Sequence, residues 1–311
     1  MRHLFATLGL ASALLSGGAY AAAYDDAFAA YQKGDYTLAL KLFTPLAEKG
    51  DSNAQYNVGT MYNNSLGVKA NYEEAVKWYK LAVAQGNVYA EVDLGLLYEY
   101  GRGVKADYKE AMRLFKLAAE KQNSAAELNV ASMYQRGLSE PQNYKEAAAW
   151  YLRSANHGNA DAQYNLGLMY AGGHGVPPDL KQAAAWYRKA ADAGNDSAQL
   201  NLGAMYAQGE GGLKKSPQDA VIWFRKAAQA GNGHAQFNLA SIYANGDDGV
   251  PQDLARALIW FEAAFATLKD NESKVSDDNA KEVAKHMTRD QFLSAQALGR
   301  QCRQGNYAAC E

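Results

Sequence analysis

Side chains that do chemistry are few in this sequence and stand apart. There are five histidines and two cysteines in 311 residues. His3 falls in the apolar start of the chain, and His157, His174, His234 and His286 have no His, Cys or Asp neighbour at ligand spacing. The segment Gly209-Glu210-Gly211-Gly212-Leu213-Lys214-Lys215-Ser216 has the composition of a phosphate loop. It lacks the glycine-to-lysine spacing of such loops and follows a helical pattern instead of a strand, so it is set aside. No Gly-x-Ser-x-Gly elbow, His-Glu-x-x-His helix or calcium loop appears. The expectation is a chain with no catalytic residues, no metal and no cofactor. Cys302 and Cys310 remain, both near the end of the sequence. In an oxidising compartment they would form a disulfide, worth about 2–3 kcal/mol for so short a loop. Two free thiols are the alternative.

The first residues bear on that compartment. Met1-Arg2-His3 is a short basic start, Leu4 to Leu15 is apolar and uncharged, and Ala19-Tyr20-Ala21 has small residues where a signal peptidase cuts. The apolar run is shorter than the roughly 20 residues a membrane span needs. A signal peptide over 1–21 is expected, with cleavage after Ala21 or, alternatively, Ala23. No cysteine follows to carry a lipid. The sequence holds 31 basic and 33 acidic side chains, a net charge of -2, and loss of Arg2 leaves 30 − 33 = -3. Both signs are spread along the chain, which argues against a broad footprint for nucleic acid or anionic lipid. The expected location is the periplasm, with secretion as the alternative, and no stable membrane insertion after cleavage.

What positions the remaining side chains is a repeat. Ala54, Ala90, Ala126, Ala162, Ala198 and Ala235 are spaced by 36, 36, 36, 36 and 37 residues. Eight residues after each stands Tyr62, Tyr98, Tyr134, Tyr170, Tyr206 or Tyr243, and five after each stands Gly59, Gly95, Ala131, Gly167, Gly203 or Ala240. A second alanine follows (Ala75, Ala111, Ala147, Ala183, Ala220, Ala257), and three residues later an aromatic or leucine and then an aromatic, as in Trp78-Tyr79 and Trp186-Tyr187.

Each unit reads as two helices. The alanine, the aliphatic residue four later and the tyrosine share one face of the first. A glycine-bearing loop such as Gly101-Arg102-Gly103-Val104 follows, and the second helix carries the Ala, Trp and small residues inward. The pattern runs over Ser52 to Leu268 as six repeats. Residues 22–51 read as a shorter hairpin, turning at Lys33-Gly34-Asp35. Lys269 to Ser276 reads as a polar linker before C-terminal capping helices, and Thr288 with Gln291 fits a capping box for the last of them.

The Ala-x-x-x-Leu-Gly-x-x-Tyr start, the Gly-Val loop and the Ala-x-x-Trp-Tyr-x-x-Ala-Ala core resemble the Sel1-like repeat, a branch of the tetratricopeptide superfamily. That resemblance implies an all-α, right-handed solenoid of antiparallel helical hairpins, acting as an adaptor or scaffold for a protein or peptide partner. In exported bacterial members it implies a role in envelope assembly, secretion or signalling. Some relatives are described as binding or hydrolysing β-lactams, which makes a hydrolase or binder of β-lactam or cell-wall substrates the alternative; those have a cysteine pair in each repeat, which this chain lacks. The third copy departs furthest, with Gly137-Leu138-Ser139-Glu140-Pro141 in place of the usual loop and Ala131 in place of glycine.

In related hairpins ligands lie in a groove lined by the first helices. Mapped by the Leu-Gly-x-x-Tyr anchor, that groove would present the residues two after each repeat alanine: Tyr56, Val92, Leu128, Tyr164, Leu200 and Phe237. Leu96 and Leu168 follow at six residues, and Arg136 is the groove's clear positive charge. Packing between hairpins is the other reading of the first row. A row of short polar groups one residue further on (Asn57, Asp93, Asn129, Asn165, Asn201, Asn238) either bonds a bound peptide or holds neighbouring hairpins in register.

Overall fold

Polar residues at fixed phase start nearly every helix of this chain. The side chains of Asp51, Asn87, Asn123, Asn159, Asn195 and Asn232 accept a hydrogen bond from the N–H of the repeat alanine three residues on, at 2.6–3.0 Å. Asn71, Asp107, Asn143, Asp179, Ser216 and Asp253 cap the second helices in the same way. The computed structural model describes residues 21–303 and 307–310, so all of the expected signal segment except Ala21 lies outside the described residues.

The helices fall into two compact units, Met1–Gln142 and Asn143–Glu311. The first holds α1 (21–32), α2 (Tyr36–Glu48), α3 (Ser52–Asn64), α4 (Tyr72–Val83), α5 (Val88–Tyr100), α6 (Tyr108–Glu120) and α7 (Ser124–Arg136). The second holds α8 (Tyr144–Asn156), α9 (Ala160–Gly172), α10 (Leu180–Asp192), α11 (Asp196–Gln208), α12 (Pro217–Gln229), α13 (Gly233–Asn245), α14 (Leu254–Thr267), α15 (Asp270–Lys285) and α16 (Arg289–Arg303), then a 3-10 turn, Tyr307–Cys310. Within each unit successive helices pack on one another from α2 to α7 and from α8 to α15. This is an α-solenoid, with no strand among the described residues.

Small residues set how closely the helices approach. All six repeat alanines and all six second-helix alanines are fully buried. A Cβ on Gly59, Gly95, Gly167 or Gly203 would stand 2.6–2.7 Å from the ring of Tyr79, Phe115, Tyr187 or Phe224. The glycine is therefore a notch into which the second helix presses its aromatic residue. The later loop glycine serves the contact between repeats: a Cβ on Gly103 would fall 2.4 Å from the Tyr72 carbonyl, one hairpin earlier. Loops are pinned as well, because the carbonyls of Tyr62, Tyr98, Tyr170, Tyr206 and Tyr243 accept from the N–H of the residue capping the following helix. In the third copy Gly137 still ends α7 in the left-handed region, and Ser139 takes the place of the later glycine.

The C-terminal region corrects the expectation of a linker. Lys269 to Ser276 is not an extended connection, because α15 already starts at Asp270. Ser276, the expected end of the linker, is instead fully buried within α15, its hydroxyl donating to the Phe261 carbonyl at 2.8 Å. The capping box is present: Thr288 N–H donates to Gln291 Oε1 at 2.9 Å, and Gln291 N–H donates to Thr288 Oγ1 at 3.3 Å. Cys302 and Cys310 are fully buried and bonded to each other, their Cα atoms 5.5 Å apart. The loop they close stacks Tyr307 on Trp260, ring centroids 6.5 Å apart.

Candidate functional site

The first helices of the second unit present the best-formed version of the expected binding face. Leu168 is 39% exposed, with Tyr164, Leu200 and Phe237 half-buried beside it in sequence phase. Ala204 and Ala207 on α11 and Ser241 and Ala244 on α13 are also partly open, so the face is apolar with small residues between larger ones. In the first unit Leu96 and Leu128 are half-buried, while Val92 is buried and offers little surface.

The row two residues after each alanine is in part claimed by packing. Tyr56 lies 5.9 Å from the Tyr79 ring, Tyr164 5.9 Å from Tyr187, and Phe237 5.4 Å from Phe261. Each of these second-helix aromatics is thus gripped by its own first helix. The next row completes the contact. Asp93 accepts hydrogen bonds from Tyr79, at 3.3 Å, and from Tyr56, and Asn201 bonds Tyr164 and Tyr187 from one repeat further on. Asn57 donates to Tyr24 of α1 at 2.9 Å. At these three positions the short polar groups bond a neighbouring hairpin, the register role. Burial pushes the Tyr56 hydroxyl up to about 12 and raises Tyr79 too, with the nearby Asp93 charge adding to both. Burial also raises Asp93 above the ordinary carboxylate range, against the pull of its two tyrosine hydrogen bonds.

Arg136 is exposed but engaged. Its Nη1 lies 2.5 Å from Oε1 of buried Glu99, one repeat earlier. Its charge is committed within the protein, so it is no free clamp for a partner's carboxylate.

Three sets of residues missed in the sequence hold this face in place. The residue one after each alanine is polar and buried: Gln55, Glu91, Glu127, Gln163, Gln199 and Gln236. Each of the four glutamines donates at 3.1 Å to a carbonyl eight residues earlier, near the end of the preceding helix, where a carbonyl has no partner inside that helix. Glu91 cannot donate; Lys121 instead bonds Glu91 at 2.6 Å and the Gly86 carbonyl at 3.0 Å. Second, the basic residue after the second-helix aromatic reaches the repeat tyrosine 18 residues on. Lys116 bonds Tyr134, Arg188 bonds Tyr206 and Arg225 bonds Tyr243. Third, the capping asparagines also reach back: Asn195 donates to Asp161 at 2.9 Å and Asn232 to Asp196 at 2.7 Å. A signal existed for all three, since polar or basic residues recur at the repeat period.

Among the described residues, no three His, Cys, Asp or Glu side chains group as a metal site would need. No described helix is long and apolar enough to cross a membrane.

Comparison with known proteins accounts for this arrangement. The Sel1 repeat model matches seven times, at residues 19–51, 52–87, 88–123, 124–159, 160–195, 196–232 and 233–266. The first match takes in the short hairpin that the sequence reading set apart from the six repeats. A Sel1 repeat protein from Oxalobacter formigenes is 32% identical, with a TM-score of 0.68 over 78% of this chain and 96% of that one. A protective antigen of uropathogenic Escherichia coli that displays an SLR fold is 31% identical, again with a TM-score of 0.68. That match covers 91% of this chain but only 65% of the antigen's. No curated protein matches significantly. Sel1 repeat proteins are generally scaffolds for protein–protein interaction, and the fold is typically non-catalytic. With matches running from residue 19 to 266 and two solved relatives above 30% identity, the chain belongs to the Sel1 repeat family.

Proposed function

We infer that this protein is an exported interaction module that holds a protein or peptide partner of the cell envelope on the first-helix face of its repeats. The observation that carries the reading is the apolar surface left on α9, α11 and α13 after the stack is complete, with Leu168 its most open large residue. Packing already claims one side of Tyr164 and Phe237, so a change at either also loosens the hairpins. Leu168 is the cleaner probe. Leu168→Glu puts a charge on this face without removing a buried contact. The variant should keep the wild-type melting temperature and lose the partner captured from native envelope extracts; equal capture by both proteins contradicts the reading. The basic start, apolar run and small residues around Ala21 support export, and so does a buried cysteine pair bonded as a disulfide. A mature protein beginning at Ala22 or Tyr24 in the periplasmic fraction is the expected result; an uncleaved chain in the cytosol contradicts it.

A further inference from the structure

The last two helices, α15 and α16, both lie against α14 yet barely touch each other. In four of the repeats the seam of a hairpin is closed by an aromatic ring pressed into a glycine notch. Between α14, α15 and the start of α16 lies a cleft of about 600 Å³, with the Phe292 ring in its wall. Its apolar lining is made by Leu258 of α14, Ala280 and Ala284 of α15, Met287 in the turn before α16 and Phe292 in the first turn of α16. Lys281, Lys285 and Arg289 stand around it, with Glu262 and Asp277.

Most of these charges are committed. Lys281 pairs with Asp277 at 2.5 Å, Lys285 pairs with Glu282 at 2.6 Å, and Glu262 has an interaction of its own. Arg289 makes no ion pair among the described residues and is exposed at the first position of α16. The positive end of the helix dipole adds to its charge there. The cleft therefore combines an apolar floor with one uncommitted guanidinium at its mouth.

We propose that this cleft is a second docking point, which takes the apolar last residue of a partner protein, with the terminal carboxylate set against Arg289. The inference rests on the reading of the chain as an interaction module, but it uses a surface apart from the first-helix face around Leu168. The partner's side chain supplies the filling that Tyr79 or Phe224 supplies within the repeats. A guanidinium meets a carboxylate through two parallel hydrogen bonds, which fixes orientation as well as adding affinity.

The test uses the full chain in its oxidised form and fluorescence polarisation of a labelled peptide, Gly-Ser-Gly-Ser-Leu-Phe, with a free carboxyl end. Saturable binding is expected, at least about fivefold weaker for the amidated peptide and about tenfold weaker for Arg289→Glu, since each removes one partner of a charge-assisted pair. Ala284→Trp, which fills the floor, should abolish binding; because Arg289 is exposed, Arg289→Glu keeps the test valid if the bulky variant does not fold. No saturable binding, or equal binding by the amidated peptide and by Arg289→Glu, overturns the proposal. Competition by dodecanoate with no peptide binding also overturns it, in favour of a lipid ligand. Leu168→Glu should leave peptide binding unchanged. If the peptide fails to bind while envelope capture still depends on Leu168, the cleft alone is wrong; if the peptide binds while capture ignores Leu168→Glu, the first-helix face alone is wrong.

Discussion

At the scale of single residues, Asp93 is the informative exception. Five of six copies carry Asn at this position, where it can both give and accept a hydrogen bond between hairpins; Asp93 can only accept once ionised. Burial raises its folded-state pKa above the unfolded value. The folded state then holds its proton to higher pH than the unfolded state, so stability falls as pH rises from the ordinary carboxylate range through the raised value. Below that window Asp93 costs nothing; above it the buried charge is a penalty. Asp93→Asn should raise the melting temperature by a few degrees at pH 7, with the gain shrinking as the pH falls toward about 4. Thermal melts of both proteins across that range are the check, and a gain that is the same at every pH contradicts the assignment. The position itself was legible from the repeat. Which of its two roles it serves was not, because the choice depends on whether the tyrosines at Tyr56 and Tyr79 turn inward to meet it.

At the scale of the helix pair, the repeat works because a notch and a ring are matched. Gly203 receives Phe224, and a Cβ there would stand 2.7 Å from that ring. Gly203→Ala should destabilise the protein by about 1–3 kcal/mol, since the ring is held on all sides and the helices must part to admit a methyl group. Chemical denaturation followed by circular dichroism reads this directly, and an unchanged midpoint contradicts the notch. Ala131 and Ala240 show that an alanine is accommodated where the whole hairpin is built around it. Periodicity revealed the helix pairs and their buried alanines because each depends on local spacing. It misread the C-terminal segment, where the polar run from Lys269 to Ser276 suggested a linker. Helix α15 rests on α14 through few residues, Ser276, Ala280 and Val283, so its sequence is polar all round except for one narrow stripe.

At the scale of the whole molecule, each hairpin is stabilised chiefly by its neighbours, and damage should stay local. Leu202 is fully buried in α11. Leu202→Ala should cost about 2–5 kcal/mol. In hydrogen exchange the loss of protection should centre on α10 to α13 and leave α3 to α5 as in the wild type; uniform loss across the chain contradicts a stack of semi-independent repeats. The family and the repeat fold could be read from the sequence, because six copies at one period leave little choice. The proposed binding face could be read only in part, since Tyr164 and Phe237 give one side of their rings to Tyr187 and Phe261, and Arg136 is spent on Glu99. The central claim is that recognition belongs to the first helices. Leu168 on α9 is 39% exposed, and Leu152 on α8 and Ile222 on α12 are 40% and 47% exposed on second helices. A photo-crosslinking residue placed in turn at these three positions, in cells, tests it most directly. A discrete partner crosslinked from position 168 and absent from 152 and 222 is the predicted result; crosslinking from 152 or 222 with none from 168 would contradict the account.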